Sequence, residues 1–103
     1  IKELGKVFEL KPSRRFFIPI EYRRKFNWIP GATVSLALKK KSLVIHNKQK
    51  ETDIICVIGR GGSILIPSEV ISFFELKKIH FFKVKIDEDH QEMILAPLSF
   101  HDV

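Results

Sequence analysis

The sequence is poor in the residues from which active sites and cross-links are built. It holds one cysteine, Cys56, so an internal disulfide is impossible, and its place in the apolar run Ile54 to Ile58 reads as a small buried residue. The four histidines, His46, His80, His90 and His101, stand at no metal-ligand spacing, and one cysteine cannot complete a zinc site with them. No local motif suggests a serine, histidine and aspartate set. The one glycine-rich stretch, Gly59-Arg60-Gly61-Gly62, lacks the spacing and terminal Lys-Ser/Thr of a phosphate-binding loop and joins two strands instead of entering a helix. Asp87, Glu88 and Asp89 read as a solvated hairpin turn rather than a calcium loop. These absences argue against an enzyme and against a cofactor or metal. No apolar run approaches the roughly eighteen residues of a bilayer span, and no signal-peptide pattern opens the chain. With so little cysteine, the expectation is a cytoplasmic protein with no membrane partner.

What is present suits one small domain. The 103 residues are 45% hydrophobic and include nine Phe, ample for a single core. The chain is organised around Arg14 to Ile45. An apolar stretch from Arg15 to Ile18 predicts a strand, and Pro19 suits the first turn of a short helix that runs to Phe26. Asn27 suits its stop, because asparagine tolerates the left-handed conformation that ends helices. Tyr22, Phe26 and Trp28 are expected in the core, with a base-stacking platform as the alternative. Pro30-Gly31 makes a turn, Val34, Leu36 and Leu38 alternate as a half-buried strand, and Leu43 to Ile45 follow as another. Before this unit, a strand is expected over Gly5 to Leu10 with Leu4, Val7 and Leu10 or Phe8 inward, then a turn at Lys11-Pro12-Ser13-Arg14.

The same grammar returns 48 residues later: Ile66-Pro67 answers Ile18-Pro19, Glu69 answers Glu21, Phe74 answers Phe26, and Phe82, Val84 and Ile86 answer Val34, Leu36 and Leu38. An internal duplication is the reading. Copies of about fifty residues are near the lower size limit for independent folding, so two copies sharing one core are expected. The fold expected is mostly β with two short helices: one domain over 1–103, with a basic repeat at 1–47, a linker at 48–52, a second, acidic repeat at 53–97 and a tail beyond. Charge divides the copies. The net +6 combines +10 over residues 1–50 with −4 over residues 51–103. That asymmetry points to an anionic partner for the first copy, with a merely solvated basic face as the alternative.

The residues FFIPIEYRRKFNWIPGATVSLALKKKSLVI resemble the swapped-hairpin domain of AbrB-type regulators, a family that includes SpoVT and the MazE antitoxins. Arg15 stands at the arginine before the strand, Ile18-Pro19 at the family's Ile-Pro, Glu21 at its acid, Arg23-Arg24 at its arginine pair, and Asn27 at its glycine. The resemblance covers Gly5 to Ile45. It implies a swapped-hairpin β-barrel built from two ββαββ repeats, here in one chain as in the two-repeat MraZ proteins, whose acid-and-arginine signature is nevertheless not found. It also implies a transcriptional regulator that grips double-stranded DNA through Lys11, Arg14, Arg15, Arg23 and Arg24; since only the first copy carries that face, two-fold recognition of DNA is expected to take a homodimer. The second copy carries Ser63 in place of Arg15 and Ile71-Ser72 in place of Arg23-Arg24, so it keeps the residues of the fold and drops those of DNA contact. An antitoxin or interaction module whose second repeat docks a protein partner is the alternative.

Overall fold

The computed structural model describes residues 1–48 and 52–98. Residues 49–51 of the expected linker and 99–103 of the expected tail lie outside the described residues. The order β-β-α-β-β occurs twice along the chain. The first half comprises β1 (Lys2–Glu9), β2 (Arg15–Phe17), α1 (Ile20–Lys25), β3 (Thr33–Lys39) and β4 (Ser42–His46). The second comprises β5 (Ile54–Val57), β6 (Ser63–Leu65), α2 (Ser68–Leu76), β7 (Phe81–Asp87) and β8 (Glu92–Leu98).

Helix α1 is bounded by the two residues the sequence marks, although Pro19 stands just before it as the N-cap and not inside its first turn. Pro19 precedes α1 with extended backbone, and its carbonyl accepts from the N–H groups of Tyr22 and Arg23. Asn27 takes φ 57°, and the Trp28 N–H returns to the Arg23 carbonyl at 2.8 Å, which closes the last turn on the carbonyls a helix end leaves unpaired. Helix α2 ends by the same geometry three residues later than the 48-residue offset requires, with Lys78 at φ 56° and Ile79 bonded back to Phe74. The 48-residue offset returns by β7, because the first half spends those residues on the turn at Pro30-Gly31.

All strand pairings are antiparallel, and most cross between halves. Six strands form one sheet in the order β1-β7-β8-β4-β3-β5, while β2 pairs with β6 in a separate ribbon. Strands β1 and β5, the first of each half, pair with the third strand of the other, β7 and β3; β4 pairs with β8 at the centre. The backbone bonds repeat across this exchange: the Ile18 N–H donates to the Gly62 carbonyl at 3.0 Å, and the Ile66 N–H to the Arg14 carbonyl at 2.8 Å. The sheet is open, ending at β1 and β5, so the barrel expected from the resemblance is not closed by strand pairing.

The core draws on both halves. Phe16, Ile18, Leu36 and Ile45 are buried with their later counterparts Ile64, Ile66 and Val84 and with Met93 and Phe82. Tyr22, Phe26 and Trp28 are buried too, the Phe26 and Trp28 rings 5.0 Å apart edge to face, so these aromatics pack inward. Two expected inward residues point out. Val7 is 61% exposed, because the left-handed Gly5 (φ 68°) shifts the β1–β7 register between Glu3 and Val7 and turns Phe8 inward instead. Leu38 is 43% exposed near the tight turn Lys40-Lys41, where β3 runs out from the core. Cys56, expected to be buried, is only half-buried.

Candidate nucleic-acid interface

Strands β1 and β2 run beside each other without pairing, and a groove of about 830 Å³ opens between them. Its floor is apolar, with Phe8, Phe16, Ile18 and Val84. Strand alternation decides the rim: with Phe16 buried, Arg15 and Phe17 must face outward, and both are exposed. Lys6 and Lys11 join Arg15 along the groove, and Arg23 reaches it from α1, against a single acid, Glu9.

Arg23 is held more firmly than the other cations. Its Nε donates to the Ile18 carbonyl at 2.9 Å, and its guanidinium lies against Gly62 in the β5–β6 turn of the other half. Fixing a planar fork in advance reduces the side-chain entropy lost when it meets a phosphate. Arg24, on the same helix, is exposed to solvent. Lys25 is already engaged: its Nζ meets Glu88 Oε1 at 3.0 Å, and this hydrogen bond with the carboxylate raises its pKa.

Of the five residues expected at a DNA contact, the structure brings Lys11, Arg15 and Arg23 to one groove and leaves Arg24 on the adjoining helix. Arg14 lies apart. It lines a second depression, which Lys11 also borders, with Leu10, Ile71, Glu75 and His80, and its φ of 59° is unfavourable for arginine. Lys6 was missed by the sequence reading. The signal was Gly5, since a glycine inside a strand pattern marks a bulge that re-aims its neighbours.

The matching seam of the second half is nearly shut. Between β5 and β6 only about 260 Å³ is open; the Gly59 N–H donates to the Ser63 carbonyl at 2.9 Å, and Cys56 Sγ lies 3.7 Å from the Leu65 carbonyl. At the positions of Lys11, Arg15, Arg23 and Arg24 stand Gly59, Ser63, Ile71 and Ser72. Arg15 of the first half also lines this opening, but none of the second-half residues there carries a long charged side chain.

Compared with family models, curated proteins and solved structures, the chain matches none.

One buried polar pair lies elsewhere. His46 Nε2 stands 2.9 Å from Asp53 Oδ2, and the Lys48 N–H donates to His46 Nδ1 at 3.0 Å. Nδ1 thus accepts from the backbone, while Nε2 and Asp53 Oδ2 lie close without forming a hydrogen bond. The pair brackets the junction between halves. Ser35 is cross-strand partner to His46, but all three side chains are buried, which leaves a substrate no access. Among the described residues no group of three or more acids, histidines or cysteines is placed to hold a metal ion, and no helix is long and apolar enough to cross a membrane.

Proposed function

We propose that the chain is a DNA-binding transcriptional regulator of AbrB type. In this reading two ββαββ copies interleave as swapped hairpins within one chain, and only the first copy presents the DNA face. The observation that carries the reading is the convergence of Lys6, Lys11, Arg15 and Arg23 on one open groove, with Arg24 exposed beside it, while the equivalent positions of the second half are uncharged. Arginine suits the task because its fork donates two parallel bonds to a phosphate or to the O6 and N7 of guanine. The second copy completes the core. Because one chain presents one basic half-face, two-fold recognition of DNA takes two chains. The protein works in the cytoplasm, without catalysis and without a cofactor.

Electrophoretic mobility shift with a random duplex pool at two salt concentrations tests this. Retarded complexes that weaken at the higher salt are expected. A second reading, an antitoxin or interaction module, is favoured by the exposed apolar side chains Ile55, Val57 and Leu65 on the second half. Capture of a protein partner that survives nuclease treatment, with no mobility shift, would decide for it.

A further inference from the structure

We infer that the groove between β1 and β2 is a docking site for an extended acidic segment of a partner protein, added as a strand between two open edges. Backbone direction is the first argument. The Leu10 N–H donates to the His80 carbonyl, and antiparallel ladders alternate, so Phe8 bonds to β7 while the main-chain groups of Val7 and Glu9 point away from it. Likewise the Ile18 N–H bond to the Gly62 carbonyl fixes the β2–β6 ladder, and the main-chain groups of Arg15 and Phe17 point away from β6. Both sets border the groove. A segment that meets them must offer N–H and C=O groups alike, which an extended polypeptide does and a phosphate backbone does not.

Side chains set the chemistry. The floor of Phe8, Phe16 and Val84 accepts apolar residues, and the rim of Lys6, Lys11, Arg15 and Arg23 attracts acids, so the complementary segment alternates apolar with acidic residues. The volume of about 830 Å³ lies within the usual range of ligand sites. The Gly5 bulge bounds the open edge at one end and the turn beginning at Lys11 at the other. The second half supplies a contrast: Gly59 and Ser63 close its seam by a hydrogen bond, whereas no such bond joins Lys11 to Arg15 among the described residues. A docked segment covers the rim cations, so it competes with DNA; this consequence, unlike docking itself, rests on the DNA-binding reading.

The test uses the full chain without DNA and a fluorescent, end-capped octapeptide that alternates glutamate with valine. Saturable binding by anisotropy is expected. It should weaken by about tenfold or more when the peptide's alternate amides are N-methylated, and again when its glutamates become lysines or when the protein carries Arg15→Glu. N-methylation leaves the protein's folding untouched, so the result is readable even if Arg15→Glu is unstable. Absence of binding up to about 1 mM, or equal affinity of the N-methylated peptide, overturns the inference. Peptide binding by a protein that shifts no DNA would support docking and refute the DNA reading. DNA binding without peptide binding would do the reverse.

Discussion

The guanidinium of Arg23 fills the space that a side chain at Gly62 would need. Helix α1 of one half is thereby pinned to the β5–β6 turn of the other, beside the Ile18 to Gly62 backbone bond. Gly62→Ala should carry two penalties, one for φ 78° and one for overlap with Arg23, together about 1–3 kcal/mol in chemical denaturation. On an Arg23→Ala background the overlap disappears and only the backbone penalty of about 1 kcal/mol remains. Strict additivity of the two changes would show that the guanidinium does not occupy that space.

Arg14 and Gly62 occupy the same place in their halves, and both take positive φ. Glycine does so freely, whereas arginine is strained there, and strain of this kind collects at functional sites. Arg14→Gly should therefore stabilise the fold by up to about 1 kcal/mol, the backbone relief exceeding the added freedom of the unfolded chain. If Arg14 contacts DNA, affinity falls in the same variant. Lower stability by thermal melting would mean that the side chain's packing against the Ile71 depression outweighs the strain.

Local chemistry was legible in the sequence, and partnership was not. Pro19 and Asn27 bound the first helix because proline and asparagine act through their own backbones, and the Ile-Pro pairs mark the same corner twice. Nothing within Lys2–Glu9 states that it will pair with Phe81–Asp87, since alternation specifies a strand and a face but no neighbour. Lys78 ends α2 in the left-handed region without glycine or asparagine, so no terminal signal was present to extend that helix. At the site, Arg15 was readable as a rim residue from Phe16 beside it. The separation of Arg14 from the groove was not, because it depends on helix α2 of the other half lying beside the turn.

Cys56 offers a pH test. Burial, with a smaller contribution from the Glu69 charge, raises its thiol above the ordinary 9.0. A raised folded-state pKa means the folded protein holds this proton more tightly, so the stabilising contribution is present below the unfolded pKa and is lost as pH rises through the folded one. Melts between about pH 8.5 and 10.5 should decline less steeply for Cys56→Ala than for the parent. Parallel curves would show that the thiol titrates as it does in the unfolded chain.

Most strand pairs cross between halves, which makes the halves mutually dependent. In a fragment ending at Lys50, β1 loses β7, β2 loses β6, and only the β3–β4 hairpin keeps its partner. Neither that fragment nor its complement from Glu51 should show cooperative unfolding alone, and their mixture should regain it. A cooperative melt from either fragment as a monomer would refute the dependence.

The division of labour between halves is most directly tested by the salt dependence of DNA affinity, measured by anisotropy on one short duplex selected from the random pool. Each neutralised phosphate contributes roughly −0.9 to the slope of log K against log salt. Arg15→Ala and Lys6→Ala should each flatten the slope by about one unit, while Lys77→Ala and Lys78→Ala in the second half leave it unchanged. Equal flattening from the second-half lysines, or affinity that ignores both salt and Arg15, would contradict a DNA face built from the first half alone.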